Sequence, residues 1–399
     1  MICRSKGENM NLIEFGTISH IKKGKKPLRQ ADKHQEGYMP YVDIEAFETG
    51  NIKMYTDGEK CLPCKAGDIL IVCDGSRSGF VGKAIDGYVG STLAIISADG
   101  MSQKYLYYFL QGKYALLNTK KKGTGTPHLD ANILNQQKLV VPSLEEQKRI
   151  VARIEELFSE LDNGVETLKK TKQQLAVYRQ AVLKEAFDIA LNCTERMMTI
   201  EKLLATDRKG MATGPFGTML KKHDHKHEGI PMLGIENIGE GKFIDGNKIF
   251  VSSEKAHELK SFVLKAGDII ISRSGTVGEI CSVPARMEGS LLSTNLMRVS
   301  LNPEIVLSEY FIYMFQSKGV VLDQVKELCK GSTRIFLNQT ILKQIQFPIP
   351  SIVKQKQIIE EIESRMSVCD SIENTVDTAL QQAEAMRQSI LKQAYEGNL

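Results

Sequence analysis

Few residues in this chain have the types and spacing that could do chemistry. Cys61-Leu62-Pro63-Cys64 has the spacing of half a zinc site. A structural zinc needs four ligands and no second pair follows, so an unliganded pair is expected. His223, His225 and His227 alternate, which on a strand would put three imidazoles on one face as metal ligands. Their lysine-rich surroundings favour a solvated or phosphate-facing loop instead. Gly82-Lys83 lacks both the glycine five residues before Gly82 and the following Ser or Thr of a phosphate-binding loop. No G-x-G-x-x-G follows a strand-like run, and neither H-E-x-x-H nor an Asp/Asn-Pro-Pro-aromatic tetrapeptide occurs. The expectation is a chain with no catalytic centre, no metal and no cofactor of its own.

Basic residues are the other chemical signal. Lys22, Lys23, Lys25, Lys26, Arg29 and Lys33 fall within twelve residues, with Asp32 the one acid among them. Lys120, Lys121 and Lys122 precede Gly123-Thr124-Gly125-Thr126. Lys221, Lys222, His223, His225, Lys226 and His227 form a third block, after Thr213-Gly214-Pro215-Phe216-Gly217. Arg77, Arg273 and Arg334 sit beside Ser, Thr or Gly in turn-like segments. Lysines neutralise phosphates, small residues permit close backbone approach, and arginine bonds guanine edges bidentately. Any one cluster is as readily a solvated surface; their recurrence points toward nucleic acid.

These loops need elements to position them, and the chain supplies them twice. Lys65-Ala66-Gly67-Asp68-Ile69-Leu70-Ile71 returns as Lys265-Ala266-Gly267-Asp268-Ile269-Ile270-Ile271. Pro40-Tyr41-Val42-Asp43-Ile44-Glu45 lines up with Pro231-Met232-Leu233-Gly234-Ile235-Glu236. Ser76-Arg77-Ser78-Gly79-Phe80-Val81-Gly82 is paired with Ser272-Arg273-Ser274-Gly275-Thr276-Val277-Gly278, leaving Val72 to Gly75 as an insertion in the first copy. From Gly123 and Gly331 onward the copies run without a gap for 66 positions, 22 of them identical. An identity of one third over such a span is a duplication. Length therefore reads as two units of roughly 200 residues, each a globular part followed by a helix.

Each helix starts after a proline, Pro142 or Pro350, with Ser143 or Ser351 as N-cap; Glu146 would complete a capping box with Ser143. Apolar residues then recur with coiled-coil spacing at Val151, Ile154, Phe158, Leu161, Val165, Leu168, Leu175, Val182 and Ala186. The second helix repeats this at Ile359, Ile362, Met366, Cys369, Val376, Leu380, Ala383, Ile390 and Ala394. Lys172, Arg179, Glu373 and Arg387 interrupt the seams and could set register. About 45 residues give roughly 65 Å of helix, and two such helices pair most simply antiparallel. Two independent amphipathic helices are the alternative. The globular parts mix strand-length apolar runs with helical stretches bearing Tyr105, Tyr107, Tyr108, Phe109 and Tyr310, Phe311, Tyr313, Phe315, whose helical spacing suits core packing. The fold class is α+β, with two globular domains separated by an antiparallel two-helix coiled coil in a pseudo-two-fold repeat. The divisions are 1–142, 143–190, 191–350 and 351–399.

Composition is permissive. Hydrophobics at 42% and charged residues at 25% exclude a largely disordered chain, and 52 Lys and Arg against 48 acids exclude an overall cationic blanket. No apolar run is long enough for a membrane span, the first residues lack a signal-peptide core, and eight scattered cysteines suit reduced thiols. A cytoplasmic protein is expected.

Gly214-Pro215-Phe216-Gly217-Thr218-Met219-Leu220-Lys221, then Gly267 through Gly278, then the repeated Pro-Ser-x-x-x-Gln helix starts ending in Gln147 and Gln355, resemble the specificity subunit of type I restriction-modification systems. The repeated Arg-Gln-x-x-Leu-Lys segments at 179–184 and 387–392 strengthen the likeness, which covers the chain from about Ile13. It implies two target-recognition domains, each reading half of a bipartite asymmetric site on double-stranded DNA, with the helices as the spacer. It implies two methyltransferase subunits as partners, restriction-translocase subunits joining through the complex, and S-adenosylmethionine, ATP and Mg held on those partners. The implied DNA contacts are Lys22, Lys23, Lys25, Lys26, Arg29, Ser76, Arg77, Ser78, Lys121, Lys122, Thr124 and Thr126 in the first copy. In the second they are Phe216, Thr218, Lys221, Lys222, His223, Arg273, Ser274, Thr276, Ser332, Thr333 and Arg334. The implied partner contacts are Gln147, Ile154, Arg179, Gln180, Gln355, Ile362, Arg387 and Gln388. The first copy departs from the pattern, with Lys22-Lys23-Gly24-Lys25-Lys26 where Gly-Pro-Phe-Gly is expected, so the two halves should be read differently. A coiled-coil scaffold that does not read DNA is the competing class.

Overall fold

A computed structural model describes residues 12–120, 127–193, 196–216, 219–273, 277–328 and 336–399. Contacts divide the chain into two compact units: Met1–Leu168 with Asp377–Leu399, and Lys169–Val376. Each unit therefore combines one globular part with a stretch of both long helices, Leu144–Cys193 and Ile352–Tyr395.

The globular parts share one topology. In the first unit the antiparallel strands Ser19–Lys23, Leu93–Ala98, Ile69–Val72 and Val81–Lys83 lie in that order, and in the second Met211–Thr213, Leu296–Val299, Ile269–Ser272 and Ile280–Ser282 do the same. A second, mixed sheet contains a parallel pair in both: Val42 opposite Val89, and Leu233 opposite Leu292. The central strands Ile69–Val72 and Ile269–Ser272 are buried along their whole length, as continuous Ile/Leu/Val runs demand. Helices Gln103–Thr119 and Ser308–Gln316 pack beneath them, burying Tyr105, Phe109, Tyr310, Phe311 and Phe315, so the aromatic stretches are core.

The repeated Lys-Ala-Gly-Asp is a turn that launches the central strand. Gly67 and Gly267 take φ of +93° and +82°, open to glycine without strain, while Asp68 and Asp268 each accept the amide of the lysine three residues earlier. Asp268 is further held by Arg208 at 2.8 Å and the Ser300 hydroxyl at 2.7 Å.

The hairpin that follows corrects the sequence pairing. Gly79 N–H donates to the Val72 carbonyl and Gly278 N–H to the Ser272 carbonyl, both glycines at φ near +90° (+91° and +89°). Val72 and Ser272 amides donate in turn to Phe80 and Glu279. Gly79 thus corresponds to Gly278, not Gly275. Arg77 and Arg273 are not equivalent; the counterpart of Arg273 is Cys73, whose amides donate to Asn295 and Thr92 carbonyls respectively. The resemblance of Ser-Arg-Ser-Gly in both copies misleads because backbone register, not side-chain identity, sets position in a hairpin.

The helices start as their sequence requires. Ser143 and Ser351 hydroxyls accept the amides of Glu146 and Lys354 at 3.3 and 3.4 Å, while the Glu146 carboxylate takes Arg149 at 2.6 Å. Every expected seam residue is buried or half-buried. Within each unit the two helices run antiparallel: in the second, Arg179 meets Asp370 at 2.6 Å and Glu373 at 3.0 Å, with Lys172 3.4 Å from Glu373. In the first, Arg387 meets Asp162 and lies 4.7 Å over the Phe158 ring. Arg179 and Arg387 are counterparts in the repeat, as are Asp370 and Asp162, so one contact is made twice. Each polar interruption finds an oppositely charged partner on the facing helix.

Candidate nucleic-acid interface

Lys22, Lys25 and Lys26 are exposed, and among the described residues none of the three has an acidic partner. Their strand turns at Gly24, where a Cβ would collide with the Gly90 carbonyl oxygen; Gly214 is equally pressed against the Ser293 carbonyl. The amides of Gly24 and Gly214 donate to Leu93 and Leu296, which places Lys26 where the second copy has Phe216. Lys221, Lys222 and His223 are exposed beyond Phe216 and are organised by Asp224, whose carboxylate accepts the Lys221 amide at 2.7 Å. That bond, the largest influence on it, holds the Asp224 carboxyl below the ordinary range. An acid inside a basic block is a signal the charge count overlooked.

Other proposed contacts are committed inside their own unit. Lys23 pairs with Asp74 at 2.8 Å, Arg29 with Asp57 at 3.1 Å and Glu59 at 3.4 Å, and Arg77 with Glu48 at 2.6 Å while lying 4.3 Å over Phe80. Ser76 is exposed, and its carbonyl accepts from Asn118. Ser78 is fully buried and its hydroxyl donates to the Gly75 carbonyl at 2.7 Å, so a DNA contact from that side chain is withdrawn. Arg273 is corrected likewise. Only 5% exposed, it donates to the carbonyls of Leu337 and Thr294, with its guanidinium 5.3 Å from the Phe216 ring and 4.8 Å from Phe336. It holds two exposed rings in place and is not itself available to a guanine edge. Lys121, Lys122, Thr124, Thr126, Thr218, Ser274, Thr276, Ser332, Thr333 and Arg334 lie outside the described residues.

The same correction applies to the partner contacts. Gln147 and Gln355 are fully buried. Gln147 accepts the Ser102 amide at 2.8 Å and donates to the Gly100 and Pro142 carbonyls at 2.6 and 3.0 Å. Gln355 accepts the Leu307 amide and donates to the Ile305 and Pro350 carbonyls, all at 2.9 Å. A long amide can join one donor and two acceptors that a shorter or charged side chain cannot, and each glutamine latches a helix start to its own globular part. Ile154 and Ile362 are core, Arg179 and Arg387 pair the helices, and Gln180 and Gln388 are half-buried. The repeated Pro-Ser-x-x-x-Gln is therefore a folding device.

Residues that sequence reasoning missed converge on the same corner in each unit. In the first, the Asp74 carboxylate, 17% exposed, takes Lys23 on one oxygen and His128 Nδ1 on the other at 2.7 Å, with Lys23 and His128 half-exposed. Burial raises the Asp74 carboxyl, but the bonds from Lys23 and His128 outweigh it and leave it below its ordinary value. In the second the corner is Phe216, Arg273 and Phe336. Leu129 and Leu337 amides donate to the carbonyls of Cys73 and Arg273, so His128 and Phe336 occupy one topological position. Cys64 lies in the core of its unit with its thiol directed at the Ile85 carbonyl, and burial pushes it up to about 11. Among the described residues no cluster of His, Cys, Asp and Glu could hold a metal, and no helix is long and apolar enough to cross a membrane.

A duplicated α+β unit with basic, loop-borne surfaces and paired helices defines a tandem recognition protein rather than an enzyme active site. The model of the type I restriction modification DNA specificity domain matches residues 7–176 and 216–382, and the chain belongs to that family. It is similar to the specificity subunit of type I restriction enzyme MjaVIII from Methanocaldococcus jannaschii, 26% identical over 372 residues, which cover 90% of this chain and 86% of the relative. The EcoBI specificity subunit of Escherichia coli is 22% identical across 97% of this chain and 85% of its own. A solved structure from work on complex assembly and conformational transition of the type I restriction-modification system shares the fold with a TM-score of 0.69, at 17% identity over 98% of both chains. The chain is thus a type I specificity subunit: a non-catalytic, DNA-recognising member of systems that also contain methylase and restriction subunits.

Proposed function

We propose that this subunit reads a bipartite, asymmetric site on double-stranded DNA, one half per unit, with the paired helices setting the spacer. The observation that carries the reading is that two units built on the same four-stranded antiparallel sheet present different chemistry at matched positions: Lys26 against Phe216, and His128 against Phe336. Equal folds with unequal surfaces suit two different half-sites; a plain scaffold has no need of the difference. The exposed lysines supply the phosphate contacts that fix orientation, which carry affinity but no sequence information. S-adenosylmethionine, ATP and Mg belong, on this reading, to two methyltransferase subunits and the restriction subunits that join through them. With Gln147, Ile154, Gln355 and Ile362 buried, docking falls to the apolar side chains the helices expose, such as Val177, Val368 and Ile372 in the second unit and Met386 in the first.

Sequencing the modified bases of a host carrying only this system tests the proposal. Two short specific blocks separated by a fixed run of any bases are expected; a contiguous modified motif overturns it.

A further inference from the structure

We propose that the matched corner is the specificity-determining position of each unit and works by a different principle in the two: His128, oriented by Asp74, bonds a base edge in the first half-site, whereas Phe216 and Phe336, clamped by Arg273, stack against bases in the second. The inference rests on the bipartite reading above and assigns that site's discriminating residues.

The geometry argues for each half separately. Asp74 is mostly buried and spends its two oxygens on Lys23 at 2.8 Å and His128 Nδ1 at 2.7 Å. A ring bonded through Nδ1 has its orientation set, and its Nε2 lies on the far side from the carboxylate. The His128 side chain is 55% exposed, so the imidazole is both held and accessible. Such an imidazole offers an acceptor when neutral and a donor when protonated, which suits the hydrogen-bonding edge of a nucleobase. A half-exposed lysine bonded to the same carboxylate places positive charge beside it, complementary to the DNA backbone.

The second corner presents phenyl rings where the first presents an imidazole. Phenylalanine has no hydrogen bond to offer, and Arg273 has turned toward the Leu337 and Thr294 carbonyls. Phe216 and Phe336 nevertheless remain 53% and 39% exposed, the two phenylalanines among the exposed large apolar side chains of the described residues. The class of occupant follows from charge along the same segment: exposed Lys221 and Lys222 follow five and six residues after Phe216, which suits a polyanion better than a basic partner. Rings restrained by a cation between them lose little freedom on insertion, so they suit stacking on a base or wedging into a base step. Stacking tolerates any base; it discriminates through how readily a step opens.

The test uses the subunit assembled with its methyltransferase and a pool of duplexes randomised within the site that the wild-type complex modifies. His128→Ala should relax base preference at one position of the first half-site and leave the second as it was. Phe336→Ala should weaken binding about tenfold to a hundredfold, the worth of one stacked base, and remove the binding-induced fluorescence change of 2-aminopurine placed in the second half-site away from the methylated base. His128→Gln and Phe336→Leu decide the matter where an alanine variant fails to fold, and the unaffected half-site reports folding in each case. Unchanged selection by the His128 variants, or a uniform loss over all sequences, overturns the first half of the inference. An undiminished 2-aminopurine signal in the Phe336 variants overturns the second. If the wild-type complex shows no sequence preference, the underlying bipartite reading fails instead.

Discussion

Replacing Gln147 by alanine should cost more stability than any surface change in the first unit. The side chain is fully buried and makes three hydrogen bonds of 2.6 to 3.0 Å, one to an amide and two to carbonyls. At about 1 kcal/mol net for each bond the loss is about 3 kcal/mol, and the stranded backbone groups raise it toward 5. With a urea dependence of about 3 kcal/mol per molar, the unfolding midpoint should fall by roughly 1 M or more. Gln355→Ala should cost a similar amount, because its latch has the same three partners in kind. Amide hydrogen exchange localises the effect: the Ser102 amide should lose protection in the first variant and the Leu307 amide in the second, each without the other. The reasoning fails if Gln147→Ala leaves the midpoint and Ser102 protection unchanged while abolishing methyltransferase binding, since the glutamine would then be acting at an interface.

Gly24→Ala and Gly214→Ala should each destabilise by about 2–3 kcal/mol or more, because the new Cβ meets a backbone carbonyl that cannot swing away; thermal unfolding checks this, and a neutral result would refute the shared geometry. The Asp74 carboxyl is depressed in the folded state, so its stabilising contribution is full above the unfolded value of about 4 and is lost as pH falls through the lower folded value. Asp74→Asn should therefore lower stability at neutral pH and narrow the gap to wild type in acid, as pH-dependent denaturation would show. Truncating Asp162 or Arg387, singly and together, should reveal a coupling of about 0.5–1 kcal/mol for this partly exposed pair, weakened by salt. Adding seven residues to both helices, about 10 Å of rise, should lengthen the spacer by about three base pairs and leave the half-sites alone, read from the modified motif; altered half-sites with an unchanged spacer would refute the ruler.

Much of the architecture was legible in the sequence because its determinants are local or periodic. A proline, a serine cap and apolar residues at coiled-coil spacing specify a helix without reference to anything distant, and Leu144–Cys193 and Ile352–Tyr395 begin at the residue after each cap. The duplication was visible because it needs no structure to detect, and Lys-Ala-Gly-Asp marks a turn in both copies because only glycine tolerates φ near +90° without strain. The roles of particular side chains were not legible. Arg273 and Arg77 look interchangeable as residues beside Ser and Gly, yet one is buried against a carbonyl 64 residues away and the other pairs with Glu48. Gln147 and Gln355 repeat as a partner-binding motif would, yet turn inward, because a buried helix start needs its backbone groups satisfied. His128 and Phe336 carry no motif at all. The ungapped repeat already sets them opposite one another, but only the bonds of Leu129 and Leu337 to the first residue after each central strand bring them to the corner with Asp74 and Arg273. Composition and periodicity determine which elements form; which side chains are left facing solvent at their junctions is decided by long-range hydrogen bonds that no local pattern encodes.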